Sequence, residues 1–283
     1  MIQPSVPKRD GDVNVYNLSE STVFEPVIHY VNGIRVPGID HALIAGLLSL
    51  LTERPIVGIY NKTNGALVDL GQCVLDYLQN ATARLSSRQN LNRPEIPESQ
   101  IPGLFERTMD NSVVWNTATA KLFQSLVTNR NRKQMIVAHS QGNLITANAL
   151  FVLEDMLGAR VLRNIRVYSL ASPAPAWPLG IRRTNGGGGR QENAFMNDLV
   201  MLLRPHNFAA KVGITRFQNE GDFRTHPGGG VVGIAAHDTK LNMALNFLKS
   251  IRGDLGLSKD LPDDFLQQCA NKAAEAFADL ATE

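Results

Sequence analysis

The chain has 283 residues, 43% of them hydrophobic and 19% charged, which describes an ordinary globular protein with enough apolar material for a substantial core. Its formal net charge of +2 is too small to imply a nucleic-acid partner,. Cys73 and Cys269 lie far apart and show no metal-ligand spacing, so they read as free thiols rather than a disulfide framework or a zinc site.

The first residues, MIQPSVPKRDGD, lack the apolar segment of a secretory signal peptide,. The longest nearly apolar run, Ala42–Leu51, is about ten residues, against the ~20 that a membrane-spanning helix requires,. The expected location is the cytoplasm, or outside the cell by an export route that leaves no Sec-type signature.

Residues 1–25 are polar and contain proline, with one strand-like piece at Val13–Tyr16. They predict a loose arm ending in an edge strand. Val27–Val31 is a compact β-rich run stopped by the turn signal Asn32-Gly33,. Asp40 is placed to cap a helix over His41–Leu51, ended by Arg54-Pro55, and Ile56–Tyr60 is the next buried strand, closed by Asn61. Leu67, Leu70, Val74, Leu78 and Ala81 recur every three to four residues and predict an amphipathic helix over Leu67–Leu85,. Asn90–Gly103 carries three prolines and is irregular, and a second helix is predicted over Ser112–Thr128.

The next stretch, Gln134–Asn143, is the most informative in the chain. An apolar run, Met135–Ala138, leads into His139-Ser140-Gln141-Gly142, and an amphipathic run, Asn143–Leu157, follows at once. Strand, abrupt turn and helix form the context that makes a G-x-S-x-G-type sequence a nucleophile elbow. Here Ala138 stands where the first glycine is usual. A serine held between a strand end and a helix start needs small residues two before and two after it, and alanine is the smallest step from glycine. This geometry exposes the hydroxyl and aims helix-start N–H groups at any oxyanion formed there.

Ile165–Leu170 reads as a further buried strand, and Ser172–Arg190 is too rich in proline and glycine for regular structure,. Asn193–Met196 and Val212–Phe217 are strand candidates, Gly221–Gly230 is a loop, and helices are expected over Thr239–Ile251 and Asp263–Leu280. Strands alternating with helices predict an α/β fold with a mostly parallel sheet covered on both faces. The expected organisation is an arm (1–25), one α/β domain (26–253) and a helical tail (254–283) packed on it.

A serine hydroxyl needs a base, and the base needs a group that fixes its tautomer. Among the six histidines, His29 lies inside a buried strand, His41 opens a helix, and His139 is expected to pack behind the elbow. His206 follows too soon after the presumed acid strand. His237, just before a long helix, is the favoured base, with His226 as the rival. Asp198 is the favoured acid, with Asp222 as the rival, and Asp238 reads as a helix cap. An oxyanion hole takes one N–H from Gln141 and one from the loop Asn32-Gly33-Ile34, where Gly33 allows close backbone approach.

The arrangement resembles the α/β-hydrolase superfamily, in particular its serine lipases and esterases. The residues that carry the resemblance are Val31-Asn-Gly-Ile34, Ala138-His-Ser-Gln-Gly142, Asn197-Asp198 and His237, spanning about Val27–Ile251. Asn32 replaces the histidine that family often has in its oxyanion motif. The resemblance implies an α/β-hydrolase fold and ester hydrolysis through an acyl-enzyme, of lipase or phospholipase type. Ser140 would be the nucleophile, His237 the base and Asp198 the orienting acid, with the N–H groups of Gln141 and Ile34 holding the oxyanion. No metal or organic cofactor is implied.

Acyl-thioesterase or acyltransferase activity would use the same residues, and an inactive hydrolase-fold binding protein is the alternative from another class. A metal phosphohydrolase lacks a second His/Asp cluster at ligand spacing. The expected substrate is an acyl ester, with a lipid favoured, and transient contact with a membrane surface is compatible with it. His41–Leu51 is either a core helix or an apolar lid. Ser172–Arg190, flanked by Arg182, Arg183, Arg190 and Arg204, is the other candidate cover, its basic residues suited to anionic head groups,.

Overall fold

The computed structural model describes residues 5–33, 36–62, 76, 116–170, 174, 177–178, 181–185, 248–262 and 264–277. Its centre is β2 (Val27–Val31), buried along its whole length. A run of β-branched and aromatic residues with no polar face suits a parallel strand covered on both sides. β2 pairs parallel with β3 (Ile56–Ile59) on one side and with β4 (Gln134–His139) on the other. β5 (Ile165–Leu170) and β6 (Arg182–Asn185) continue the parallel set. β1 (Val13–Tyr16) closes the opposite edge antiparallel to β3, giving the order β1-β3-β2-β4-β5-β6.

Successive side chains of these strands enter opposite layers. Ile28, Tyr30, Met135 and Val137 join one apolar cluster with helix α1 (Gly38–Thr52) and the C-terminal helix α4 (Phe265–Phe277). Val31, Ile136, Ala138 and Val167 join the other with α2 (Thr117–Thr128) and α3 (Gln141–Leu157). The chain is therefore an α/β protein whose mostly parallel sheet has helices on both faces. Among the described residues no helix is long and apolar enough to cross a membrane.

Several sequence expectations need correction. α1 begins at Gly38, with Pro37 in the N-cap position and Asp40 inside its first turn. Pro37 sets the entry angle, while Gly38 lies against the arm, where a Cβ would sit 2.2 Å from the Pro7 carbonyl oxygen. In the first turn Asp40 has a favourable place near the positive end of the helix dipole,. α1 is buried on nearly every side, against the sheet and α4, so it is a core helix and not a lid.

The arm is strapped down, with Gly11 N–H donating to Tyr60 O, Tyr60 N–H to Asp12 O, and Lys62 N–H to Asp10 Oδ1. α2 starts at Thr117 because the Asn116 side chain accepts from the N–H groups of Ala118 and Thr119,. Within Ser172–Arg190, expected to be irregular, Arg182–Asn185 forms β6. Its order comes from backbone pairing with the free edge of β5, and charged residues are common on such edges. The predicted helix Leu67–Leu85 lies outside the described residues except for Asp76, as do Asn193–Met196 and Val212–Phe217.

Candidate active site

The chain winds from β2 through α1 to β3 on one side, then returns across β2 to place β4 on the other. The carboxyl ends of β2 and β4 are therefore a topological switch point, the place where open α/β sheets form their ligand crevices. Asn32-Gly33 leaves β2 there and Ser140 leaves β4 there.

Ser140 joins β4 to α3 with φ 52° and ψ −123°. That is outside the left-handed helical well and is a strained conformation for a residue with a Cβ, costing on the order of 1–3 kcal/mol. The strain is imposed from both sides. β4 is held in register with β2 and β5 up to the turn. On the far side α3 presses against the end of β2, and a Cβ at Gly142 would lie 2.3 Å from the Val31 carbonyl oxygen. Ala138 is fully buried in the α2–α3 layer, so its methyl group fits where the usual motif has glycine.

Serine at a helix start ordinarily caps the first turn, but Ser140 makes no side-chain cap bond. The N–H and side-chain Nδ2 of Asn143 both donate to the Ser140 carbonyl instead, at 3.0 and 3.1 Å. Ser140 is half-buried. The first N–H groups of α3, Gln141 among them, have no intrahelical acceptor and lie at the positive end of the dipole. Gly33 passes directly against the turn: a Cβ there would lie 2.7 Å from the Ser140 Cβ and 3.1 Å from the His139 carbonyl oxygen. Ser140, Gln141 and Gly33 thus lie together at this turn. Ile34, Asp198 and His237, with the rivals Asp222, His226 and His206, lie outside the described residues.

Beneath the turn runs a buried polar chain that the sequence did not announce. The Asn32 side chain accepts from Asn61 N–H at 2.9 Å and donates to Asn61 O at 2.8 Å, so one amide extends the β2–β3 pairing past the strand ends. It also donates to Gly33 O at 2.9 Å and pairs with His41 Nδ1 at 2.9 Å. The Asn61 side chain donates to Gln141 Oε1 at 2.9 Å, and Gln141 Nε2 donates to Asp76 Oδ2 at 2.7 Å. Asn116 Nδ2 approaches the same carboxylate oxygen, and Asn148 donates to the Asp76 carbonyl.

Burial holds the nearby imidazoles neutral. It pushes His41 down to about 3 and His139 down to about 4. His41 donates from Nδ1, because Asn32 Oδ1 can only accept,. The His139 ring packs beside Gly33, and its Nε2 has no hydrogen-bond partner among the described residues. His29 sits in β2, also pushed down by burial to about 4, and bonds Gln134.

Comparison of the chain with family models, with curated proteins and with solved structures finds no match. A strained serine at a sheet switch point, flanked by a glycine loop and the positive end of a helix, suits nucleophilic attack on an acyl carbon with stabilisation of the oxyanion.

Proposed function

We propose that the chain is a serine hydrolase of the α/β-hydrolase type that cleaves carboxylic esters through an acyl-enzyme, in the manner of lipases or phospholipases. One observation carries the reading: the strained backbone of Ser140 between β4 and α3, with Gly33 pressed against it. In this scheme Ser140 attacks the ester carbonyl, and His237 accepts the hydroxyl proton and returns it to the departing alkoxide. Asp198 orients the imidazole, and the N–H groups of Gln141 and Ile34 hold the tetrahedral oxyanion. Water then releases the acid by the same steps. The lipid preference rests on the basic, proline-rich stretch around β6, since α1 belongs to the core.

The test is labelling by a fluorophosphonate probe. The wild-type chain is expected to label and Ser140→Ala to remain blank; an unlabelled wild-type chain overturns the proposal. Within the same experiment, loss of labelling in His237→Ala but not His226→Ala, and in Asp198→Ala but not Asp222→Ala, identifies the base and the acid.

A further inference from the structure

The buried polar chain joins the two arms of the site, and its hydrogen bonds have one direction. At one end the Asn116 oxygen is committed to the backbone N–H groups of Ala118 and Thr119, so its Nδ2 faces Asp76. Asp76 carries an acceptor toward Gln141 Nε2, which turns Gln141 Oε1 toward Asn61. At the other end the backbone of Asn61 fixes which way the Asn32 amide lies, and Asn32 holds Gly33 O. Gln141 belongs to the nucleophile turn and Gly33 to the facing loop. Asp76, Asn61 and Asn32 therefore tie together, from below, the two backbone segments that would supply an oxyanion hole.

We infer that Asp76 and Asn61 are positioning residues for the oxyanion hole, acting through the Gln141 side chain and the Asn32 amide. The inference rests on the acyl-transfer reading of Ser140. Its chemistry is that of polarity: Gln141 must donate on the Asp76 side and accept on the Asn61 side. Asn61→Asp places a second acceptor against Gln141, so whichever way the amide turns, one carboxylate faces its oxygen. Asp76→Asn added to that change restores both Gln141 pairings in the other direction, because the new amide donates to Gln141 Oε1 and Gln141 Nε2 donates to the carboxylate at position 61, and it gives up only the long 3.5 Å contact from Asn116 Nδ2.

The test measures p-nitrophenyl butyrate hydrolysis, binding of a trifluoromethyl ketone as oxyanion mimic, and thermal unfolding, on the full chain. Asn61→Asp is expected to lower kcat about tenfold or more, with KM within about twofold, and to weaken the ketone by the same factor, a fraction of what loss of one oxyanion donor costs. The double variant is expected to recover most of both. Wild-type kcat in Asn61→Asp, a loss confined to KM, or a loss not recovered by the double variant overturns the inference. Should Asn61→Asp not fold, Asn61→Ala is read by the same kcat and ketone criteria. Failure of the wild-type chain to label at Ser140 instead removes the acyl-transfer reading, a separate outcome.

Discussion

Two neighbouring parallel strands hand over to helices at the same edge of the sheet, and they do so in opposite ways. β4 passes into α3 through Ser140 alone, at a positive φ, with α3 jammed against the end of β2. β2 passes into α1 through residues 32–37, entering the helix at Pro37 with φ −58° and ψ 156°, an ordinary extended conformation. Both helices are buried on most of their surface, so burial does not explain the difference. The taut junction carries a hydroxyl that caps nothing, whereas the slack one supplies room for a loop. A site that needs a fixed nucleophile and an approachable backbone benefits from having one of each.

Low pH should break both junctions together, and this is the largest effect expected. His41 lies under the slack junction and His139 at the taut one, with His29 deeper in β2. Burial holds their folded-state values at about 3, 4 and 4, below the ordinary imidazole value of about 6.5. The unfolded chain therefore binds protons that the folded chain refuses, and stability is lost as pH falls from about 6.5 toward the folded values. Each group should remove about 2 kcal/mol between pH 7 and pH 5, or about 6 kcal/mol together. Urea unfolding at the two pH values measures this, and an unchanged midpoint would contradict neutral burial of the three rings.

Next comes Gly142→Ala, which attacks the taut junction alone. The added Cβ meets backbone, 2.3 Å from Val31 O and 2.9 Å from Asn32 O, and backbone pinned in a central strand cannot yield. A loss of about 3 kcal/mol is expected. In α1 the corresponding change, Gly46→Ala, meets side-chain ends, Leu18 Cδ1 at 2.7 Å and Phe277 Cε2 at 2.9 Å. Those can shift, and alanine favours a helix over glycine by about 1 kcal/mol, so the change should be close to neutral. Equal losses in the two variants, measured by thermal unfolding, would mean that α3 is not wedged against β2.

How much of this was readable beforehand follows from the range of each interaction. β2, β4 and β5 were legible because a parallel strand covered on both faces is a mostly apolar run, and Ser140 because the elbow is a local pattern of strand, small residues and helix. β6 was not, since Arg-Arg-Thr-Asn has no apolar alternation and gains its order from pairing with β5. The start of α1 was misplaced because Asp40 looked like a cap while Pro37 and the close approach of Pro7 set the entry. The polar chain was illegible for another reason. Its bonds join residues 29, 65 and 80 positions apart, and asparagine after a strand looks the same whether it faces water or is buried. Asp76 offered no signal inside an apolar periodicity.

The smallest effect isolates the strain itself. Ser140→Ala keeps the Cβ and therefore the cost of φ 52° and ψ −123°, so its stability should match the wild type. Ser140→Gly removes the Cβ that makes this conformation unfavourable. Against that gain stands the greater freedom of glycine in the unfolded chain, worth roughly 0.5–1 kcal/mol. The glycine variant should therefore exceed the alanine variant by about 1 kcal/mol, read as a shift in the urea midpoint at constant slope. Both lack the hydroxyl, so neither gains by losing a bond that the other retains. If glycine proves no more stable than alanine, the turn at Ser140 is relaxed in solution, and the contrast between a taut and a slack junction loses its physical basis. If it is more stable, the chain keeps a serine where a glycine would fold better, which is the trade expected of a nucleophile held in place at the expense of stability.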